Sequence, residues 1–464
     1  MADEVKDHCG VFAIYNDIQA AYKTYLGLYA LQHRGEESCG IAVSDGVTLA
    51  GHKAMGQVQD ALSPDVLERF KSYSSAIGHV RYSTTGSSNL KNAQPIRVDY
   101  SKGQVAVAHN GNLTNADILR SMLEAYGAIF QTTTDSEIII HLMAKPSLRN
   151  TEEGIIDAMK RIEGAFSLVF ITPEFIAAAR DAHGFRPLWI GRTREGATVF
   201  SSETCALDLI GATAEREVEP GELVIVDKNG MRSQMVLESK RRAHCIFEHV
   251  YFARPDSVIF SENVHEVRKR FGRELAKEHA VKADIVIPVP DSGNSAALGY
   301  SQESGIPMEV GIIRNHYVGR TFIQPAQNDR DFKVKIKFNL LKSVLQGKRV
   351  VVVDDSIVRG TTSKLRIKNL REAGAKEVHL RISCPPHRHP CAYGIDFPTR
   401  KELIAHEKTI EDIRKYLSCD SLGYLSLEGM LKCVGKRPGD YCTACWSGEY
   451  PVSYKPTVKL FAEK

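Results

Sequence analysis

The chain has 464 residues, about three times the length of an average domain, so it has room for two or three full-sized domains. Its 60 basic and 56 acidic residues leave a net charge of only +4, which argues against binding nucleic acid through overall charge. No apolar run of 18 residues and no secretory signal at the N-terminus can be found, which favours a cytoplasmic protein with no membrane partner. In that reducing compartment, we expect its ten cysteines to be buried thiols, a nucleophile or metal ligands rather than disulfides.

The N-terminal half alternates short apolar runs with turns, a pattern typical of strands. The predicted strands cover residues 11–15, 40–43, 75–80, 104–109, 167–171 and 223–226. Helices are predicted over residues 17–31, 114–125 and 135–143. In the last helix we expect Asp135 at the N-cap and a buried stripe of Ile138, Ile139 and Leu142. This half is therefore predicted to form layered sheets with helices outside.

The pattern changes from about residue 243. Two near-continuous apolar runs, ADIVIPVP at 283–290 and RVVVVDD at 349–355, suit parallel strands that are buried on both faces. A helical stretch follows each run, and a third strand is predicted at 377–383. This alternation of strand and helix predicts an α/β domain with a parallel sheet.

The sharpest local pattern is VVVVDDSIVRGTTS at 350–363, a buried strand followed by a loop that opens a helix. Exposed amides at a helix N-terminus form an anion site, and Gly360 allows a phosphate to approach the backbone closely. The paired acids Asp354 and Asp355 would repel a phosphate, but they suit ribose hydroxyls or a hard cation. The string is neither a Walker A loop nor a dinucleotide-binding GxGxxG.

This string resembles the signature of type I phosphoribosyltransferases, which bind phosphoribosyl pyrophosphate (PRPP). The resemblance implies that Asp354 and Asp355 hold the ribose 2′ and 3′ hydroxyls. It also implies that the loop cradles the 5′-phosphate, through Ser356, Ile357, Val358, Arg359, Gly360, Thr361 and Thr362. The strand end PVPDSGNSA at 288–296 matches the pyrophosphate side of the same site. There the resemblance implies a Mg²⁺ ion that meets Ser292, Asp354 and Asp355, a small set of protein ligands as this ion prefers.

Near the start of the chain, Cys9 opens the string CGVF, which alone is typical of a buried strand cysteine. Four further strings change that interpretation: RGEES at 34–38, HVRYSTTG at 79–86, HNGNL at 109–113 and TTDS at 133–136. Taken together they resemble the N-terminal nucleophile (Ntn) glutamine amidotransferases. The resemblance implies that residues 1–8 are a leader removed by self-cleavage. The freed α-amine of Cys9, with a usual pKa of about 7.7–8.0, then serves as the base.

The remaining residues of the glutamine site follow from the same resemblance. The side chain of Asn110 and the backbone amide of Gly111 are implied to form the oxyanion hole. Arg81 suits the α-carboxylate of glutamine, because a guanidinium binds a carboxylate in a fork. Asp135 suits the α-ammonium group, and Tyr82 is a candidate for signalling PRPP occupancy to this site.

A CxxC pair, Cys442 and Cys445, lies in the Gly-rich string GDYCTACWSG and indicates a metal or redox site. A four-thiolate site needs two further cysteines, and spacing cannot choose among Cys245, Cys384, Cys391, Cys419 and Cys433. Resemblance to the iron–sulfur branch of the amidophosphoribosyltransferases selects two, in HCIFEHVYFARPDS and HPCAYGIDFPT. It implies a structural [4Fe-4S] cluster on Cys245, Cys391, Cys442 and Cys445. Four thiolates also suit Zn²⁺, which remains open.

Both halves thus resemble one family, the amidophosphoribosyltransferases, from Cys9 to about Ser447. The resemblance implies an Ntn-hydrolase αββα sandwich over residues 9–242. A type I phosphoribosyltransferase domain, a parallel sheet with helices on both faces, then covers 243–464 and includes an iron–sulfur-binding tail. The implied reaction converts glutamine, PRPP and water to 5-phosphoribosylamine, pyrophosphate and glutamate, the first committed step of purine synthesis.

The family also implies a homotetramer, feedback inhibition by purine nucleotides and a loop, residues 317–339, that closes over PRPP. Two alternatives remain. The first is another Ntn amidotransferase that makes asparagine or glucosamine 6-phosphate, against which the string at 350–363 argues. The second is a PRPP-sensing, DNA-binding regulator, against which the complete amidase set and the low net charge argue.

Overall fold

The computed structural model describes residues 9–82, 89–239, 241–315, 338–395, 400–435 and 437–453. The predicted leader, residues 1–8, and all but the last two residues of the predicted loop 317–339 lie outside these ranges. Within the described ranges, no helix is both long and apolar enough to span a lipid bilayer.

Two antiparallel sheets form the N-terminal half. The first has seven strands, in spatial order Thr213–Glu217, Trp189–Arg192, Thr198–Ser201, Gly10–Tyr15, Ser75–Arg81, Ser38–Ser44 and Leu49–Met55. The second has six, in the order Gly230–Met235, Glu222–Asp227, Phe175–Arg180, Gly164–Ile171, Gly103–Leu113 and Ile96–Tyr100. Each of the six strands predicted from the sequence is present.

The two sheets pack face to face, and helices cover their outer faces. Apolar side chains of the inner faces, such as Val11 and Ile77 on one sheet and Val169 and Val224 on the other, form one buried cluster. The first sheet carries the helices Ala20–Ala30, Val58–Ala61, Pro64–Arg69 and Thr204–Leu209. The second carries Ala116–Ala125, Ser136–Met143 and Thr151–Arg161. The predicted αββα sandwich is confirmed.

One local prediction in this half is confirmed only in its position. Asp135 is the N-cap residue of the helix Ser136–Met143, but its side chain makes no capping hydrogen bond. Its carboxylate accepts a hydrogen bond from the backbone amide of Leu113 instead, at 2.9 Å. A contact between distant segments has therefore replaced the local cap, while the predicted stripe of Ile138, Ile139 and Leu142 is buried.

The C-terminal half is built on a parallel sheet of four strands, Ile285–Pro288, Arg349–Asp354, Glu377–Ile382 and Ser421–Tyr424 in spatial order. Its α-helices are Val264–Glu278, Asn294–Ser304, Lys342–Leu345, Thr361–Glu372, Ile404–Glu407, Ile410–Leu417, Leu427–Lys432 and Ala444–Ser447. The valines at 350–353 are fully buried, as expected for a strand covered on both faces. The first two strands end at the same edge, so the segments that follow them, 289–293 and 355–360, lie side by side.

Short elements complete the chain. Two-stranded pairs join His244–Cys245 to Tyr441–Cys442, Val258–Ile259 to Glu262–Asn263, and Ile312–Arg314 to Phe338–Leu340. Single turns of 3₁₀-helix cover Gln32–Arg34, Leu90–Asn92, Arg400–Glu402 and Pro438–Asp440, and a π-helical turn covers Glu248–Phe252.

A buried group of charged side chains joins the two halves. Arg34, in the N-terminal half, pairs with Glu203 of its own half and with Glu248 of the other. Glu248 also accepts a hydrogen bond from Arg186, whose second amino group donates to the carbonyl oxygen of Tyr393. Because each buried charge has a partner of opposite sign, the junction avoids the cost of isolated buried ions.

Candidate active site

A small cavity opens where the two sheets of the sandwich end. The antiparallel register that pairs Gly10 with Val80 sets Cys9, one residue earlier, beside Arg81. The cavity is lined by Cys9, Arg81, Tyr82, Gln94, His109, Gly111, Thr134, Asp135 and Ser136. Five of these were predicted from the sequence, and the structure adds Gln94, His109, Thr134 and Ser136.

The thiol of Cys9 is almost completely buried in this cavity. Its Sγ lies 3.8 Å from the carbonyl oxygen of Tyr82. Burial raises the pKa of the Cys9 thiol, and the nearby guanidinium groups of Arg81 and Arg34 offset part of that rise. The thiol is therefore protonated near neutrality, and it needs a base beside it to act as a nucleophile. Arg34 also donates from Nε to the carbonyl oxygen of Cys9, at 3.1 Å, which fixes the main chain of this residue.

Asn110 has the most unusual side chain of the site. It is fully buried, and within the described part of the chain neither its amide nitrogen nor its oxygen has a hydrogen-bond partner. Leaving such a group unsatisfied costs about 1–3 kcal/mol, so an unpaired buried amide needs an explanation. A donor held ready for a substrate oxygen beside Cys9 is such an explanation.

Gly111, the next residue, has φ +151°, a conformation that favours glycine. A Cβ atom at this position would lie 2.0 Å from the carbonyl oxygen of Ala165, so only glycine fits. The main chain at Gly111 can thus lie directly on the floor of the cavity.

The cavity also holds one anion and one cation. Asp135 accepts from the amide of Leu113 at 2.9 Å, and its other oxygen lies 3.4 Å from Oγ of Ser136. Arg81 is buried, and its Nη1 lies 3.7 Å from Oε2 of Glu37. A carboxylate and a guanidinium that face one small cavity match the two charged groups of an α-amino acid.

A second candidate site lies at the loop that follows the strand Arg349–Asp354. Gly360 has φ +82° and precedes the helix Thr361–Glu372, and a Cβ there would lie 2.7 Å from Cδ1 of Ile404. The side chains of Ile357 and Val358 are buried in the core, so these two residues can offer a ligand only their backbone. The loop therefore suits an anion held by main-chain amides and hydroxyl groups.

The two carboxylates before this loop, Asp354 and Asp355, are buried, and each has a hydrogen-bond partner. Asp354 pairs with Arg366 of the following helix, with Oδ2 2.5 Å from Nη1. Asp355 accepts from the hydroxyl of Ser356 at 2.5 Å and is also hydrogen-bonded by Ser292. Burial, and next the neighbouring Asp354, raise the pKa of Asp355. The structure thus brings Ser292 to Asp355 across the two strand ends, as predicted, and Arg366 is a residue that the sequence did not reveal.

The four cysteines assigned to an iron–sulfur cluster converge on one buried region. Cys245 and Cys442 face each other in register on adjacent parallel strands. Cys391 and Cys442 belong to one apolar cluster. Burial raises the thiol pKa of Cys445 well above its usual value, and the neighbouring thiols of Cys391, Cys442 and Cys245 raise it further. All ten cysteines are free thiols.

These thiols are not arranged as a closed ligand set. In the ranges that the structure describes, no three or more His, Cys, Asp or Glu side chains are placed to hold a metal ion. The donor chemistry nevertheless fits, because four converging thiols are soft ligands suited to iron–sulfur clusters or zinc. In the same way, Ser292, Asp354 and Asp355 offer the oxygen donors that suit Mg²⁺.

Comparison with known proteins shows which family the chain resembles over most of its length. Residues 79–209 match the family model of the glutamine amidotransferase domain. The chain is 50% identical over 456 residues to amidophosphoribosyltransferase 2, chloroplastic, of Arabidopsis thaliana. The aligned region covers 98% of this chain and 81% of that protein.

Two solved structures extend the similarity to the whole fold. One is the glutamine PRPP amidotransferase from B. subtilis complexed with ADP and GMP, with a TM-score of 0.92, 46% identity and coverage of 97% of this chain and 99% of that one. The other is described as the allosteric regulatory enzyme of purine biosynthesis, with a TM-score of 0.92, 45% identity and 97% of each chain covered. These matches include both halves of the molecule, and the chain belongs to the amidophosphoribosyltransferase family.

Proposed function

We propose that this chain hydrolyses glutamine at Cys9 and passes the ammonia to C1 of PRPP, giving 5-phosphoribosylamine, pyrophosphate and glutamate. This is the entry step of purine synthesis. The observation that carries the proposal is the cavity at Cys9, where a thiol, a cation and an anion meet. Asn110 directly precedes Gly111 of the cavity lining, and within the described residues its buried side chain has no hydrogen-bond partner.

In the glutamine half, Arg81 and Asp135 bind the α-carboxylate and the α-ammonium group. Removal of residues 1–8 frees the α-amine of Cys9, which takes the thiol proton. The sulfur then attacks the side-chain carbonyl carbon, and Asn110 and Gly111 donate to the oxygen that becomes negative. The C–N bond breaks, the proton goes to the leaving nitrogen, and water hydrolyses the thioester to glutamate.

In the acceptor half, Asp354 and Asp355 bind the ribose hydroxyls, and the loop from Ser356 to Thr362 binds the 5′-phosphate. Arg366 holds the carboxylate of Asp354 in place. Ammonia forms a bond to C1 while the bond from C1 to pyrophosphate breaks. Mg²⁺, held by Ser292, Asp354 and Asp355, would neutralise charge on the leaving pyrophosphate.

The cysteine quartet would hold a [4Fe-4S] cluster that ties the tail to the domain junction and takes no part in the chemistry. Zinc remains the alternative occupant. Iron and acid-labile sulfide measured on anaerobically purified protein distinguish the two, since a zinc protein contains neither.

The domain limits, residues 9–242 and 243–464 after a leader of residues 1–8, are part of the same proposal. So are Tyr82 as the residue that reports PRPP binding, a loop 317–339 that closes over PRPP, and a cytoplasmic location. The B. subtilis structure carries ADP and GMP, and we propose that purine nucleotides also inhibit this enzyme and that it forms a homotetramer. Light scattering of the purified protein tests the tetramer.

The test of the reaction measures glutamate release by anaerobically purified protein with and without PRPP and Mg²⁺, with pyrophosphate followed in the same tube. We expect PRPP to raise glutamate release and pyrophosphate to appear in step. Cys9→Ala should abolish glutamate release but still release pyrophosphate when ammonia is supplied. N-terminal sequencing should begin at Cys9.

Each half of the proposal can fail separately. If PRPP does not accelerate glutamate release and no pyrophosphate appears with the glutamate, the assignment of PRPP as the ammonia acceptor is overturned. Full glutaminase activity in a protein that still begins at Met1 would overturn the α-amine as base.

A further inference from the structure

Gly111, which lines the glutamine cavity, is in contact with a residue of the C-terminal half. Gly394, in the C-terminal half, lies directly against the main chain of Gly111. A Cβ atom at Gly394 would lie 3.0 Å from the carbonyl carbon and 3.1 Å from the carbonyl oxygen of Gly111. Gly111 is also closed in on another side by the carbonyl oxygen of Ala165, 2.0 Å from where its own Cβ would be. Gly111 is therefore held against its own sheet, and the peptide that joins it to Asn112 lies against the opposite domain.

Gly394 is the last residue of a short segment that makes several contacts with the glutamine domain. We name this segment, residues 391–394, the junction loop. Asn112 donates from Nδ2 to the carbonyl oxygen of Ala392 at 3.0 Å. The buried Arg186 donates to the carbonyl oxygen of Tyr393 at 2.9 Å. The ring of Tyr393 stacks on that of Phe185, with centroids 4.2 Å apart. Three independent contacts thus fix this loop on the residues around the oxyanion hole.

The same loop is fastened on its other side to the C-terminal tail. Within the loop, the backbone amide of Tyr393 donates to Sγ of Cys391 at 3.3 Å, so one cysteine of the quartet is part of the loop itself. The hydroxyl of Tyr393 donates to the carbonyl oxygen of Val452 at 2.8 Å. The hydroxyl of Tyr450 donates to the carbonyl oxygen of Pro390, directly before the loop, at 2.6 Å. A displacement of the tail or of Cys391 therefore reaches the junction loop.

We propose that Gly394 is a positioning residue for the oxyanion hole, through which the C-terminal half controls the rate of glutamine hydrolysis. The inference rests on the proposed role of Gly111. The contact is with the peptide that joins Gly111 to Asn112, so a shift of that peptide reaches the Gly111 amide by rotation about the backbone bonds of Gly111. A hydrogen bond weakens steeply as its distance and angle change, so a small tilt of the amide weakens the bond to the developing oxyanion. Gly394 sets that tilt because its main chain meets the Gly111–Asn112 peptide without a side chain between them.

The proposal predicts a specific kinetic signature. Gly394→Ala pushes the Gly111–Asn112 peptide by a few tenths of an ångström and lowers kcat for glutamate release by about 10- to 100-fold. The KM for glutamine stays the same, because Arg81 and Asp135 are not touched. Pyrophosphate release with ammonia as the donor also stays the same, since it does not use the glutamine cavity.

A matched control separates this effect from backbone strain. Gly394 has φ +101°, and Gly230, at the exposed start of the strand Gly230–Met235, has φ +108° with nothing within 4 Å of its notional Cβ. Gly230→Ala carries comparable strain and should keep wild-type kinetics. Asn112→Ala removes the hydrogen bond to Ala392 and loosens the loop without adding an atom. It should also lower kcat, and it decides the question if Gly394→Ala does not fold.

The outcomes distinguish the inference from the proposed function. A kcat for both junction variants equal to that of the Gly230→Ala control would overturn the inference and leave the proposed function standing. A raised KM with an unchanged kcat would also overturn it, because that result indicates a binding role. If the wild-type protein itself shows no glutamate release that depends on Cys9, the proposed function fails instead.

Discussion

Arg34 and Glu248 form a two-pronged ion pair with N···O distances of 2.9 and 2.7 Å, and neither side chain is exposed to solvent. Because Nε of the same arginine donates to the carbonyl oxygen of Cys9, one side chain connects the nucleophile's main chain to the opposite domain. Placement of the candidate nucleophile therefore depends on the domain junction as well as on the sandwich that carries it.

This pair predicts a large cost for Glu248→Ala. The change leaves the buried charges of Arg34 and Arg186 only partly compensated, and breaking a buried pair costs about 3–5 kcal/mol. The exposed pair of Glu428 with Lys432 provides the control, since surface pairs contribute about 0–1 kcal/mol. Urea unfolding of both variants under anaerobic conditions measures the difference. Equal midpoints for Glu248→Ala and Glu428→Ala would contradict the prediction.

Asn110→Ala should separate activity from stability. The side chain has no hydrogen-bond partner within the described residues, so its loss breaks no bond and should leave the thermal midpoint close to wild type. Removing an oxyanion donor should lower kcat for glutamate release by about 10²- to 10³-fold. Asn115 offers the opposite control, because it is half-buried, donates to the carbonyl oxygen of Arg161 and accepts from the backbone amide of Glu163. Asn115→Ala should lower the midpoint slightly and keep kcat, and a reversed pattern would refute the assignment.

Arg366 should govern PRPP binding through Asp354. Its guanidinium is the partner of Asp354 Oδ2, and a charge-assisted hydrogen bond contributes about 1.5–3 kcal/mol. We expect Arg366→Ala to raise the KM for PRPP by about 10- to 100-fold, measured as pyrophosphate release with ammonia. Arg366→Lys should recover part of the loss. The exposed Lys368 lies on the same helix, and a KM shift of equal size in Lys368→Ala would show that the effect is not specific.

The ionisation of Glu137 should make the free energy of unfolding depend on pH. Burial disfavours its ionised form, but hydrogen bonds from His141 and from the backbone amides of Gln131 and Thr132 outweigh this and lower its pKa to about 2. Because the folded pKa lies below the unfolded value, the carboxylate stabilises the fold above about pH 4.5, and this contribution disappears as pH falls towards about 2.

The corresponding variant is Glu137→Gln. At pH 7 it should lose no more than about 3 kcal/mol of the free energy of unfolding. The difference in free energy of unfolding between variant and wild type should decrease steadily as urea unfolding is repeated at lower pH. A difference of constant size from pH 7 to pH 3.5 would argue against an ionised Glu137 as its source.

Local patterns predicted most of the architecture. The four valines at 350–353 and the turn at Gly360 follow from the buried-strand and helix-start rules, and the structure has both. The cap at Asp135 failed because a local propensity competed with a better partner, the amide of Leu113, which only the folded sandwich brings near. Such competition between local and distant partners cannot be seen in the sequence.

The sequence analysis missed residues that reach a site from a distant part of the sequence. Arg366 lies twelve residues beyond its partner Asp354, and only the loop between them turns it back. Gly394 and Gly111 come from different domains, so no spacing rule links them. Among the missed cavity residues, three carried a signal, since His109 opens the string HNGNL and Thr134 and Ser136 belong to TTDS. The bond between His109 and Ser136 Oγ, however, depends on the tertiary fold.

The pairing of His244–Cys245 with Tyr441–Cys442 also sets an order of assembly. Domains fold from the N-terminus as the chain leaves the ribosome, so the sandwich can form while the last strand is still unmade. The cysteine region closes only when Cys442 and Cys445 have been synthesised. A polypeptide terminated before residue 441 would carry every residue that lines the glutamine cavity and still lack Tyr450 and Val452, whose hydrogen bonds hold Pro390 and the junction loop. Synthesis as far as Val452 is thus a condition for a fully held junction loop.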